Sequence, residues 1–511
     1  MNIKKVAILG GGTAGWLAAN HIGKELLKRK GVSVTLIESP DIPPIGVGEG
    51  TVPDIRNTLK SFGIREDEFI RQCDATFKQS IKFVNWMDKK KHGEGNFFHH
   101  LFDVPSPYDT KHLTQYWLND KQTTKSHAQF LSSQHAICEA GLAPKNITNA
   151  QYEGELAYAY HFNAGKFAQL LACNAKDKFS VSHVHTNVTQ VKLANDGTIA
   201  ALMTDSEGEL EFDFYIDCSG FESLLIDKAL KVPFIDVSDS LLINSALVVQ
   251  VPTKEDEDIP PYTLATAHQA GWIWDIALTN RRGVGFVYSN NHMTDEQAHE
   301  KLDRYLGASK QDLSYRKIPM RVGYRKKFWH KNCVALGLAQ GFLEPLEATS
   351  ILLTDFSAKF LTLRFPSSTE QLEQLETRFN HAMGYAWERT IDFIKLHYCI
   401  SDRTDSAFWV ANKSDDTISE PLKEKLSLWE EFIPVRDDFF SQFEVFYLEN
   451  FLFVLYGMHF NTKAPPCTSA EHEHCLVRLQ QRAEIDQYLI NKLPNHRALL
   501  DKIKQYGLQS I

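Results

Sequence analysis

No stretch of the 511 residues approaches the roughly 20 consecutive apolar residues that a membrane-spanning helix needs. The N-terminal apolar run is too short for a signal peptide and leads straight into glycines, so it reads as a first β-strand. Positive charge is also scarce: 55 Lys and Arg stand against 64 Asp and Glu, a formal net charge of −9. That argues against nucleic acid, whose phosphates need a basic surface. The local run Lys89, Lys90, Lys91 reads as a solvated turn. The eight cysteines, at positions 73, 138, 173, 218, 333, 399, 467 and 475, form no CxxC pair. They read as reduced thiols of a cytoplasmic protein. His472, His474 and Cys475 lack a second ligand pair at a known spacing, so they read as a polar surface stretch and no metal is expected. There is no internal repeat and no low-complexity linker.

A hydrophobic share of 43% suits a globular chain with a large core, and the length favours two or three modules. Boundary signals are mild: the acidic, Pro-containing stretch 254–261 and the turn that starts at Pro366. Beyond residue 367 helical spacing prevails, as in 370–383 and 483–492. The expectation is an α/β body over 1–366 and a mainly helical module over 367–511.

Residues 6–9 form a short apolar β-run that feeds GGGTAG, a GxGxxG whose glycines are Gly10, Gly12 and Gly15. An amphipathic helix is expected from Trp16 to about Lys28, then a strand over 32–37 ending at Glu38. Each part has a physical job. Gly10 permits the tight turn, Gly12 lets backbone approach a pyrophosphate, and Gly15 lets helix and strand pack closely. The helix N-terminus attracts phosphate charge, and Glu38 stands where a ribose would donate to it. Strand, glycines, helix, strand and acid in order make a Rossmann-type dinucleotide site, where GxGxxG alone would be weak. Two later strand-to-turn elements, 213–220 and 332–337, suit an extended FAD better than NAD. No second dinucleotide motif is evident for NAD(P)H.

Several separated segments carry a resemblance to the flavin-dependent tryptophan halogenases. They are GGGTAGWLAA (10–19), IGVGEGTVP (45–53), FKQSIKFVNW (77–86), GWIWDI (271–276) and GFLEPLEATS (341–350). Together they run over some two-thirds of the chain. Three departures stand out. Ala277 replaces the proline of the family's WxWxIP, Ser350 replaces its usual glycine, and 450–458 holds no tryptophan to sandwich a tryptophan substrate.

The resemblance implies FAD, used as FADH2 from a separate flavin reductase, and chloride or bromide as co-substrate. It implies cofactor contacts at Gly10, Gly12, Thr13, Ala14, Gly15, Glu38, Gly48 and Leu338. Lys78 is then the residue that holds the electrophilic halogen, since a lysine in apolar surroundings can lose its charge and act as nucleophile or hydrogen-bond donor. Without the resemblance Lys78 would read as a surface lysine. Lys82, four residues on, is expected to share a strand face with it in a structural or tunnel-facing role. Glu347 would take the ring proton, and otherwise reads as a helix-start glutamate; Glu344, expected in the preceding loop, is its alternative.

Thr349 and Ser350 would bind halide through helix N-terminal N–H groups, where ordinary capping is the plainer reading. His100 and Phe102, in FFHHLF, would wall the substrate, or simply be buried aromatics. Trp272 and Trp274 read as core aromatics, or as bulk that keeps substrate from the flavin. The expected activity is halogenation of a small electron-rich aromatic, indole-like rather than free tryptophan; a homodimer is compatible with all of this. Two readings compete: a hydroxylating flavin monooxygenase, and a flavin-binding protein without activity. The first often has a Gly-Asp segment where GLAQG (337–341) has none.

Overall fold

The computed structural model describes residues 2–42, 48–120, 122–254, 256–307 and 313–508. The expected flavin-side loop 45–53 therefore lies partly outside the described residues, at 45–47.

A six-stranded sheet is built around the strand Lys5–Leu9. It pairs in parallel with Phe214–Asp217 on one side and Ser33–Glu38 on the other. Cys333–Ala335 and Ser182–His185 extend the parallel set, and Trp329–His330 closes one edge antiparallel. All three glycine-bearing segments singled out in the sequence thus end on one sheet. The α-helix Thr13–Leu26 starts three residues before the expected Trp16. Gly12 is its N-cap, and Trp16 N–H already donates to Gly12 O.

A second, seven-stranded sheet runs Arg316–Pro319, Ser245–Pro252, Arg281–Tyr288, Gly271–Ala277, Tyr262–His268, Ser80–Val84, Phe97–Leu101. Its pairings are antiparallel except for Tyr262–His268 beside Ser80–Val84. A small antiparallel sheet joins Glu49–Gly50, Ala159–Phe162 and Thr76–Lys78.

The chain crosses from the small sheet to the large one at Gln79, whose N–H donates to Pro261 O at 2.7 Å. This corrects the expectation that Lys78 and Lys82 share a face. They lie in different strands of different sheets. Lys78 is buried, whereas Lys82 pairs with Glu139 at 2.7 Å.

The C-terminal part is mainly helical, and its helices outrun the sequence expectation: Leu372–Cys399 spans 28 residues and Ser469–Lys492 spans 24. Cys475, expected at the surface, is buried on the latter. The largest apolar core draws on residues from Ile3 to Leu508, so both halves of the chain share it. Among the described residues no helix is long and apolar enough to cross a membrane.

Candidate active site

One cavity, of about 440 Å³, is lined by the glycine turn and by Lys78 together. At the turn its wall is Gly10, Gly12, Thr13, Ala14 and Glu38; Gly48, Leu338 and Ser350 join it farther along the chain. The turn is built for close approach. Gly10 has φ +118°, and a Cβ there would fall 2.2 Å from the carbonyl oxygen of Cys218. A Cβ on Gly15 would strike the carbonyl of Gly10, which is why that position packs the turn rather than lining the cavity. A Cβ on Gly12 would meet nothing within 4 Å, because it would project into open space. A bare backbone facing open space at a helix N-terminus fits a pyrophosphate. Glu38 accepts from His183 Nε2 at 2.8 Å.

Lys78 ends its strand 1% exposed. Burial pulls its ammonium down to about 7, against the attraction of the Glu347 carboxylate, which pushes it up. Among the described residues its Nζ makes no hydrogen bond and no ion pair. Its neighbours are the Phe102 ring, with the centroid 5.1 Å from Nζ, and Gly50, where a Cβ would come within 3.4 Å.

Glu347 stands before the helix Thr349–Leu363 rather than in it, because Ala348 takes a left-handed conformation at φ 56°. The helix opens at Thr349, directly after this turn. Burial would raise the Glu347 carboxyl, but the imidazoles of His100 and His397 hold it at about 2. His100 Nδ1 lies 3.0 and 2.9 Å from its two oxygens. His397 Nε2 lies 2.9 Å from Oε1 but off the line of a hydrogen bond.

Glu344, three residues earlier, is equally buried, and burial raises it to about 7. It accepts from Trp272 Nε1 at 2.7 Å and Tyr398 Oη at 2.6 Å. Trp274, from the same strand as Trp272, lines the cavity and lies over Gly285, where any Cβ would collide with the indole.

The structure places Lys78, Phe102, His100 and Glu347 beside one another. Thr349 is buried behind the cavity wall, and Ser350 faces it. His397 and Asn450 went unnoticed in the sequence. Asn450 donates from Nδ2 to His100 Nε2 at 3.0 Å. Glu444 and Glu449, carboxylates of the C-terminal part that could meet a ligand ammonium, already have partners: Tyr385 at 2.6 Å and Arg436 at 2.6 Å. Among the described residues, one trio of side chains could hold a metal: Glu38, His183 and His185, beside the glycine turn. His472, His474 and Cys475 form no such group.

The sequence profile of the tryptophan halogenase family matches residues 5–472. The chain is 34% identical to the tryptophan 6-halogenase SttH of Streptomyces toxytricini, over 89% of each chain. It is 34% identical to the tryptophan 7-halogenase RebH of Lentzea aerocolonigenes, over 84% of this chain and 82% of that one. The crystal structure of a tryptophan halogenase from Shewanella frigidimarina superposes with a TM-score of 0.95 at 38% identity, covering 100% of this chain and 99% of that one. A glycine turn, a buried lysine on the same cavity and a carboxylate between two histidines stand on a fold shared from end to end, and the chain belongs to the tryptophan halogenase family.

Proposed function

We propose that this halogenase acts on a small, uncharged, electron-rich aromatic ring, indole-like rather than free tryptophan, using FADH2 delivered by a separate reductase, O2, and chloride or bromide. The observation that carries the reading is the single cavity lined both by the glycine turn and by Lys78. Gly10, Gly12, Thr13, Ala14, Glu38, Gly48 and Leu338 hold the cofactor, and Gly15 shapes the turn. Bound reduced FAD would supply the two electrons that activate O2, and the O2-derived peroxide oxygen would be the oxidant that turns halide into hypohalous acid.

Chloride or bromide takes the N–H groups of Thr349 and Ser350, at the start of a 15-residue helix whose N-terminus is edged by the cavity. The bulk of Trp274 on the cavity wall keeps the aromatic substrate away from the flavin, which suppresses hydroxylation. Lys78 receives the electrophilic halogen. With its ammonium pulled down to about 7, a large fraction is free amine at neutral pH and can displace water from hypohalous acid to give a haloamine. The ring attacks the halogen, the N–X electron pair returns to the Lys78 nitrogen, and the ring carries the positive charge. Glu347, kept ionised, stabilises that cation and takes its proton.

Hydroxylation by the same cofactor is not favoured, because the relatives named above are halogenases. The test is to supply reduced FAD, O2 and each halide with a panel of indoles, phenols and pyrroles, and to read products by mass spectrometry. Halogenated indole is the expected product; hydroxylated products without halogen would overturn the reading.

A further inference from the structure

The Glu347 carboxylate has one aligned hydrogen-bond partner among the described residues, His100, so the proton arrangement of that imidazole matters. His100 is 1% exposed and lies between two groups. Its Nδ1 faces Glu347, and its Nε2 faces Asn450 Nδ2 at 3.0 Å. A neutral imidazole carries its proton on one nitrogen only, and which one is set by what the other nitrogen meets.

Asn450 could in principle present either its oxygen or its nitrogen to His100. Here the choice is forced. Asn450 Oδ1 accepts the backbone N–H of Tyr447 at 2.8 Å, in the capping box that opens the helix Leu448–Gly457. A backbone N–H only donates, so the amide oxygen must point there and the amide NH2 must point at His100. His100 Nε2 is then an acceptor, and the proton belongs on Nδ1, aimed at Glu347.

We propose that Asn450 is a positioning residue that fixes His100 in its Nδ1–H tautomer, so that Glu347 receives a hydrogen bond and stays available as a carboxylate for the ring proton. The proposal rests on the reading of Glu347 as proton acceptor. It also gives the C-terminal helices a part in the chemistry, because a helix cap laid down at residue 447 decides what the carboxylate at 347 meets.

The other groups facing Glu347 are fixed independently. His397, from the helix Leu372–Cys399, has Nδ1 2.8 Å from Phe393 O, a carbonyl that can only accept. Lys78 reaches Glu347 through its charge alone, from the strand Thr76–Lys78. Glu344 meets Trp272 and Tyr398 instead. His100 is thus the member of the group whose tautomer another side chain sets.

The direct test is the ¹⁵N spectrum of the histidine-labelled full chain, with His100 assigned by difference from His100→Gln. At pH 7.5 the wild-type protein is expected to show His100 protonated at Nδ1 and bare at Nε2. Asn450→Asp keeps an oxygen for Tyr447 but offers His100 an acceptor, and should move the proton to Nε2 or place one on each nitrogen. Its kcat should fall about tenfold or more, the order seen when a histidine's orienting partner is lost, with KM for the aromatic substrate unchanged. An Nε2–H tautomer in the wild-type protein overturns the proposal, as does an Asn450→Asp variant with unchanged spectrum and kcat. The wild-type spectrum alone decides the tautomer if the variant does not fold. The base reading fails separately, if Glu347→Gln turns over at the parent rate.

Discussion

Glu344 and Glu347 are three residues apart and equally buried, yet burial raises the first to about 7 while two imidazoles hold the second at about 2. One segment thus presents a carboxyl that is about half protonated near neutral pH and a carboxylate that stays ionised there, and neighbours rather than depth make the difference. Glu347→Gln should lower the halogenation rate by about 10²–10⁴, the range for losing one placed general base, because water takes the ring proton slowly. Glu344→Gln, which keeps a neutral group of the same shape between Trp272 and Tyr398, should cost far less. Single-turnover rates of product formation check both; equal losses would contradict the division of roles.

Lys78 yields a prediction on activity and one on stability. Lys78→Ala should abolish halogenation while O2 still reoxidises the flavin, since the lysine acts after that step. In the parent protein the rate should rise with pH around 7, as the amine loses its proton; Glu347, at about 2, contributes no acid limb there. The folded value of Lys78 lies below the roughly 10.4 of an unfolded lysine. Burying the ammonium therefore destabilises the protein fully below pH 7, and progressively less as pH climbs from 7 towards 10, where folding sheds the proton. Lys78→Met removes this penalty, so it should raise Tm by several degrees at pH 6 and by less at pH 9, as calorimetry at the two pH values would show.

Gly10 and Gly12 should separate folding from cofactor binding. A Cβ at Gly10 meets the backbone of Cys218 in a left-handed conformation, and backbone cannot step aside. Gly10→Ala should cost about 2 kcal/mol or more of stability. Gly12→Ala meets no protein atom, so its Tm without cofactor should stay at the parent value. Its FAD affinity should fall at least about tenfold, because the methyl occupies the space the pyrophosphate needs. Thermal melts and flavin fluorescence titrations separate the two effects.

The glycine turn was legible because all its parts lie within one βαβ stretch, and Lys78 and Glu347 because they sit in short segments that resemble a family. What failed was non-local. The face of Lys82 depended on Gln79 N–H finding Pro261, 182 residues away, which moved the chain to another sheet. His397 is one polar residue in a long helix, with nothing in its neighbours to mark it. Asn450 lies 350 residues from His100, and its segment drew notice only for lacking tryptophan.

Indole should be a better substrate than free tryptophan. A zwitterion brings two charges whose desolvation is costly unless partners await them. The C-terminal carboxylates that could have met its ammonium are committed: Glu444 accepts from Tyr385, and Glu449 pairs with Arg436. What the region holds beside His100 is a buried aromatic cluster. Phe393 stacks on Phe446 at 4.1 Å and meets Phe451 edge-on at 4.8 Å, with the His100 ring 5.7 Å away. A flat neutral ring needs no charged partner, so its burial beside such a cluster carries no comparable cost. The comparison to make is steady-state kcat/KM for indole and for tryptophan at equal halide, with the same reductase. A ratio of ten or more in favour of indole is expected, which corresponds to about 1.4 kcal/mol. Glu449→Gln should leave indole turnover nearly unchanged, since that carboxylate is engaged by Arg436. A higher kcat/KM for tryptophan, lost on Glu449→Gln, would show that the carboxylate leaves Arg436 to bind the amino group.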